Sequence, residues 1–144
     1  MIINFFSKHL LLCTTWIMLF LLVVTLTISS FFSKIENITR TKAIQLINRN
    51  KAVVVDLRNR SKFYSGHIIF SMNFTPEEIE NKKIEGLIKY INNPVVVVSE
   101  NGIESFHSAK KLSQYGFNQV YILKEGINGW LNNELPLTKK NIIL

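Results

Sequence analysis

The chain has 144 residues, 47% of them hydrophobic, and its 17 Lys and Arg against 10 Asp and Glu give a formal net charge of +7. This length allows one domain with an attached segment. The basic residues are spread along the chain, without the clusters and stacking aromatics of a nucleic-acid-binding protein, so no nucleic-acid partner is expected. The single cysteine, Cys13, excludes an intramolecular disulfide, and nothing indicates an oxidising compartment.

An uncharged apolar stretch runs from Leu10 to Ser33. As a helix, its roughly 24 residues would cover about 36 Å, against about 30 Å of hydrocarbon in a bilayer. The stretch is apolar on all sides, which is typical of a helix in lipid. A cleaved signal peptide is the alternative, but its apolar core is usually only about 7–15 residues long. We therefore predict a short tail at residues 1–9 and a transmembrane helix at residues 10–33.

Positive side chains are concentrated after this span. Lys8 precedes it, whereas Lys34, Arg40, Lys42, Arg49 and Lys51 follow it. The positive-inside rule therefore predicts a cytoplasmic C-terminal domain and an N-terminus on the other side of the membrane. The basic charge could attract the tethered domain to anionic inner-leaflet lipids. An ordinary solvated surface explains the charge equally well.

Residues 34–144 are predicted to form one domain in which short apolar runs alternate with helical patterns. Uninterrupted apolar runs are typical of buried parallel strands. The predicted strands lie at 52–55, around 68–69 and 72–74, at 95–98 and at 120–123. The first predicted helix is capped by Thr39 and ends at residues 48–50, and a second lies at residues 61–64. A third helix begins at Pro76, with a further helical turn near residues 87–90. The last two are a helix at residues 103–115 and a short helix that includes Trp130.

The helix at 103–115 is expected to bury Phe106, Ala109 and Leu112 on one face and to end at Gly116. Strands that alternate with helices indicate an α/β fold. Its central sheet should be mostly parallel and flanked by helices on both faces.

The loop that follows the apolar strand 95–98 is the candidate site. The strand ends at Ser99, and a short loop leads into the next helix. A buried strand that stops at such a loop and a helix N-terminus forms a natural cradle for an anion. The candidate binding residues are Ser99, Glu100, Asn101, Gly102, Ile103, Glu104 and Ser105.

Several motifs of residues 38–137 occur in the order of one known family. They are the strand ending in Asp56-Leu57-Arg58, Gly66-His67-Ile68, Pro94–Val98 with Gly102 and Ser105 after it, Gly116-Phe117, Glu125–Trp130, and Leu135-Pro136. Together they resemble a rhodanese domain. The span in front of a single such domain resembles bacterial membrane-anchored, single-domain rhodanese-like proteins. The resemblance implies a rhodanese-like fold for residues 34–144 and a place in the bacterial inner (plasma) membrane.

The resemblance also implies a chemistry, which this chain does not keep. In active members the first loop residue is a cysteine whose thiolate takes a sulfane sulfur from thiosulfate or another donor and holds it as a persulfide. Ser99 stands at that position, and a hydroxyl ionises far above a thiol and forms no persulfide. Glu100 and Glu104 would repel an anionic donor. Glu104 stands where many active members carry arginine.

Ser99 could instead be a hydrolase nucleophile, which needs a base and an orienting group within reach. His67, His107 and Asp56 are candidates, but no Gly-x-Ser-x-Gly elbow surrounds Ser99. A hydroxyl that hydrogen-bonds the loop backbone is the simpler interpretation.

Other conspicuous residues have structural interpretations. We expect His67 to be a hydrogen-bonded structural histidine, Asp56 and Arg58 to pair at a strand end, and Trp130 to pack in the core. The three histidines lack metal-ligand spacing and there is no P-loop motif, so neither a metal nor a cofactor is expected.

The sequence is compatible with three functions. The first is a membrane-anchored, catalytically inactive rhodanese-like domain that acts as a binding or adaptor module, with a protein partner at the inner membrane. The alternative is a sulfurtransferase for thiosulfate or persulfide sulfur with a non-standard active site. A third hypothesis makes the span itself the partner-binding element.

Overall fold

A computed structural model describes residues 8–31 and 35–139, without the side chains of 29–31. The chain divides into two units, residues 1–33 and 34–144. Most of the predicted tail, the end of the predicted span and the first domain residue, Lys34, lie outside the described residues.

The first unit contains helix α1 (Leu10–Phe31). Its segment Leu10–Ile28 has a mean hydropathy of 2.4 and is long and apolar enough to cross a membrane, a test that a signal sequence also passes. Its threonines bond within the helix: the hydroxyls of Thr15 and Thr27 donate to the carbonyls of Leu11 and Val23, each at 2.7 Å. Hydroxyls satisfied in this way are tolerated in an apolar environment.

The second unit is built on a parallel sheet, as predicted. Its strands are β1 (Glu36–Ile38), β2 (Val53–Asp56), β3 (Ser71–Asn73), β4 (Val95–Val98) and β5 (Val120–Leu123). Their order is β1-β5-β4-β2-β3, and every pair is parallel. The four valines of β4 are buried because this strand lies in the middle of a sheet covered on both faces.

Helices cover the sheet on both faces. They are α2 (Arg40–Asn50), α3 (Arg60–Ser65), α4 (Pro76–Glu80), α5 (Glu85–Ile88), α6 (Ser105–Gln114) and α7 (Gly126–Asn132). Because strand side chains alternate, Val95 and Val97 pack in one core with α4, α5 and α6, whereas Val96 and Val98 pack in a second core with α2 and α7.

The helix starts follow local capping chemistry. The Thr39 side chain accepts from the Lys42 N–H, which confirms the predicted cap of α2. Thr75 and Glu78 form a reciprocal capping box at α4, with Pro76 in the first turn. These caps satisfy N–H groups that have no partner inside the helix.

The structure corrects three element predictions. The strand expected around 68–69 and 72–74 covers only Ser71–Asn73, because a turn with Phe70 at φ +61° comes first. Phe106 was expected on the buried face of α6 but is 58% exposed, because the buried face consists of Ser105, Ser108, Ala109 and Leu112, at i, i+3, i+4 and i+7 spacing. The edge strand β1 was not predicted.

Candidate functional site

The candidate site lies at the carboxyl end of the central strand. Strand β4 ends at Val98, and α6 begins at Ser105. Ser99, the first residue of the loop, is only 2% exposed. Crevices at the carboxyl ends of parallel strands are the usual binding places of α/β folds.

The Ser99 hydroxyl accepts two hydrogen bonds inside the loop. The Gly102 N–H donates to Ser99 Oγ at 2.9 Å, and the Ser105 hydroxyl donates to the same atom at 3.0 Å. Ser105 is completely buried. The loop therefore closes around the hydroxyl, as expected for a serine that hydrogen-bonds its own loop backbone.

The loop backbone is fixed by the start of α7. The N–H groups of Ile127 and Asn128 donate to the carbonyls of Ser99 and Glu100, at 3.0 and 3.1 Å. Gly126 has φ +58°, and a Cβ there would collide with the carbonyl oxygens of Ser99 and Glu100. Only glycine fits this approach without displacing the loop.

We expect Gly126→Ala to lower the free energy of unfolding by at least about 1–2 kcal/mol, because alanine is strained at this φ and its methyl group meets the loop carbonyls. Urea unfolding of the full chain in detergent, followed by circular dichroism, measures this loss. Gly86→Ala is the matched control, since a Cβ there meets only the flexible end of Met72 at 3.3 Å. Equal effects of the two substitutions would contradict the assigned role of Gly126.

The two glutamates of the loop differ in their surroundings. Lys62 Nζ lies 2.6 Å from Glu100 Oε2, and this hydrogen bond, with the lysine charge, lowers the pKa of Glu100 below its ordinary value. Glu104 occupies the N-cap position of α6, but its side chain makes no capping hydrogen bond. No salt bridge of Glu104 occurs within residues 8–31 and 35–139. Of the two carboxylates predicted to repel an anionic donor, Glu100 is thus paired with a lysine and Glu104 is not.

Apolar side chains are exposed beside Glu104. Ile103 is 83% exposed and Phe106 is 58% exposed. Asn101 accepts a hydrogen bond from the Asn128 side chain, which adds a further link between the loop and α7. The loop surface thus combines a buried hydroxyl centre with an exposed apolar and acidic rim.

Asp56 and Arg58 form a buried pair at the end of β2. Their side chains are 1% and 9% exposed, and Arg58 Nη2 lies 2.7 Å from Asp56 Oδ2. Arg58 Nε also donates to Asp56 Oδ1 at 3.0 Å, while Nη2 reaches the Gly66 carbonyl at 2.8 Å. The pair therefore joins the strand end to the turn after α3, as the structural interpretation predicts.

The histidines have partners other than Ser99. His67 is 1% exposed, its Nδ1 lies 2.9 Å from the Phe63 carbonyl, and its ring stacks on Phe63 at 3.9 Å between centroids. His107 Nε2 lies 2.9 Å from Glu80 Oε2 on the surface. The described hydrogen bonds of the Ser99 hydroxyl come from Gly102 and Ser105, so the contacts do not form a hydrolase triad.

Trp130 is a core residue, as predicted: it is 5% exposed, and its indole N–H donates to the Pro136 carbonyl at 3.2 Å.

The sequence does not identify Lys62 as the partner of Glu100. The two residues are 38 positions apart, and no local pattern relates them.

A family model described as the rhodanese-like domain matches residues 39–133. The chain belongs to the rhodanese-like domain family. It is 42% identical over 138 residues to the uncharacterized protein YibN of Escherichia coli (strain K12), with 96% of each chain covered. It is 28% identical over 100 residues to the thiosulfate sulfurtransferase GlpE of Shewanella oneidensis, covering 68% of this chain and 94% of GlpE.

The rhodanese-like fold also agrees with solved structures. A rhodanese-related protein from Thermoplasma volcanium superposes with a TM-score of 0.61 at 23% identity, over 73% of this chain and 99% of that one. Within the rhodanese-like region of this chain there is no cysteine, because the single cysteine, Cys13, lies in α1.

Proposed function

We propose that this chain is a membrane-anchored rhodanese-like domain that binds a protein partner at the loop Ser99–Ser105 and does not transfer sulfur. The observation that carries the proposal is the Ser99 hydroxyl, which accepts hydrogen bonds from the Gly102 N–H and the Ser105 hydroxyl. A hydroxyl fixed there holds the loop in shape but supplies no thiolate for a persulfide.

Charge at the loop supports the same proposal. Glu100 forms a salt bridge with Lys62, whereas Glu104 places a carboxylate without such a partner at the start of α6. An anionic sulfur donor that approaches Ser99 meets a negative charge where the resemblance implies a positive one. The exposed Ile103 and Phe106 favour contact with another protein instead, because exposed apolar groups gain from burial.

The anchor in this proposal is α1, which spans the inner membrane of a bacterium and leaves the rhodanese-like domain in the cytoplasm. The length and hydropathy of α1 support the span, and the excess of Lys and Arg after it supports the orientation. A cysteine introduced at exposed Asn132 in a Cys13→Ser background tests the orientation. An impermeant maleimide should label this cysteine only after the cells are lysed, and labelling of intact spheroplasts would contradict a cytoplasmic domain.

The absence of sulfur transfer is tested with the full chain in detergent. Thiosulfate and cyanide are supplied, and thiocyanate is measured for the unmodified chain and for Ser99→Ala. We expect both to match the blank without protein. Clear turnover by the unmodified chain that is lost in Ser99→Ala would refute the proposal and favour the sulfurtransferase alternative, which the likeness to GlpE supports.

Partner binding is tested separately in native membranes. A photo-crosslinking residue, p-benzoylphenylalanine, replaces Ile103 in the full chain, and the same residue at Ile88 serves as the control. Ile88 is 46% exposed and lies on α5, outside the loop. An adduct with one defined protein at position 103 alone supports the loop as the binding surface. Equal adducts at both positions, or none at position 103, would remove this part of the proposal.

A further inference from the structure

The surface beside Ser99 has a composition that restricts its partner. Ile103 is 83% exposed and Phe106 is 58% exposed, on either side of Glu104 in sequence. We call these three residues the loop rim. Two large apolar side chains exposed within four residues form an apolar patch, and a surface that covers them removes this patch from water, which favours binding.

Glu104 gives the loop rim its charge. Glu100 pairs with Lys62, and Glu80 pairs with Lys111. Within the described residues, Glu104 shares the lack of a salt bridge with Glu77, Glu85 and Glu134, but it alone of these lies between two exposed apolar residues of the loop and the start of α6. Glu104 makes no such pair within the described residues, and it does not cap α6. Its carboxylate is therefore available to a cation from outside.

The charge of the loop rim is opposite to the balance of the whole chain. The chain carries a net charge of +7, so it repels other cationic molecules in general. A cationic group on a partner that covers Ile103 and Phe106 would lie beside the carboxylate of Glu104. Once an apolar contact excludes water around this carboxylate, the charge pair strengthens, because the local dielectric falls.

We infer that the loop rim docks a protein segment that presents an apolar side chain beside a lysine or arginine. The apolar group covers Ile103 and Phe106, and the cation pairs with Glu104. This inference rests on the proposed function and states the chemistry of the partner. A second copy of this chain and an acidic partner are the competing occupants.

Two short peptides test the partner class: one alternates lysine with leucine, and the other alternates glutamate with leucine. The full chain is placed in nanodiscs of zwitterionic phosphatidylcholine, with 4-fluorophenylalanine introduced at position 106. Peptide binding is followed by the fluorine chemical shift. The same label at Ile88, which is 46% exposed on α5, reports binding outside the loop. Empty nanodiscs measure adsorption of the peptides to lipid.

We expect the lysine peptide to shift the label at position 106 and the glutamate peptide to leave it unchanged. Ile103→Ser should weaken the binding of the lysine peptide at least about tenfold. Glu104→Lys should reverse the preference, so that the glutamate peptide binds instead. Ile88→Ser and Glu85→Lys, an exposed apolar and acidic pair on α5, are the matched controls and should change nothing.

Equal binding of both peptides, or a lysine peptide unaffected by Glu104→Lys, would overturn the inference. The crosslinking experiment at Ile103 separates this failure from failure of the proposed function. If a defined protein is crosslinked there but the lysine peptide does not bind, the proposed function is supported and the inferred chemistry of the partner is contradicted. An adduct with a second copy of the chain also removes the partner class.

Discussion

Replacing Ser99 by cysteine is expected to give only slow sulfur transfer, and adding Glu104→Arg should raise the rate about tenfold. The loop already presents the Gly102 N–H and the Ser105 hydroxyl to the atom at the end of side chain 99. These donors would stabilise a thiolate. The remaining obstacle is the Glu104 carboxylate, because it disfavours the thiolate and repels thiosulfate.

The measurement is thiocyanate formed from thiosulfate and cyanide, with mass spectrometry of the protein to detect one added sulfur atom. All variants carry Cys13→Ser, which removes the only natural thiol. Ser99→Cys with Glu104→Gln should lie between the single variant and the arginine variant. Ser99→Cys with Glu100→Gln is the control for a carboxylate that Lys62 already neutralises. Rapid persulfide formation by Ser99→Cys alone would refute the electrostatic argument.

Asp56→Ala should be among the most destabilising single substitutions in the domain, at about 3–5 kcal/mol. The Asp56 and Arg58 side chains are 1% and 9% exposed, and three hydrogen bonds join their side-chain atoms. Without the carboxylate, the guanidinium is left buried without its countercharge, which costs more than the pair itself contributes. Urea unfolding of the full chain in detergent gives the difference in free energy.

The double variant Asp56→Leu/Arg58→Met distinguishes a buried unpaired charge from a general disturbance of the strand end. It should recover most of the stability lost in Asp56→Ala, because no charge remains to be buried. Arg40→Ala is the exposed control, since Arg40 and its partner Glu125 have side chains 38% and 57% exposed. A double variant as unstable as Asp56→Ala would contradict the buried-charge explanation.

Much of the fold could be predicted because its strongest signals are local. The valine runs in β2 and β4 predict buried strands, and Thr39 and Pro76 predict helix starts, all of which the structure confirms. Strand β1 was not predicted because it has only three residues, of which only Ile38 is buried. Phe106 was placed wrongly because the buried face of α6 includes two serines, Ser105 and Ser108, which an apolar pattern does not identify as buried.

The candidate site could be located from the sequence, but its contacts could not. Ser99 follows a buried strand, and this alone places it at the carboxyl end of the parallel sheet. The partner of Glu100 depends on where α3 brings Lys62, which is set by tertiary packing. For the same reason the sequence showed two similar glutamates, whereas in the structure one is neutralised and one is not.

The contacts between Gly126 and the loop carbonyls separate the shape of the loop from its chemistry. The N–H groups of Ile127 and Asn128 hold the backbone at Ser99 and Glu100, and none of these contacts uses the side chain at position 99. The backbone at Ser99 and Glu100 is thus held independently of which side chain stands at position 99. A lineage can therefore exchange one molecular task for another at this loop without rebuilding the domain that supports it.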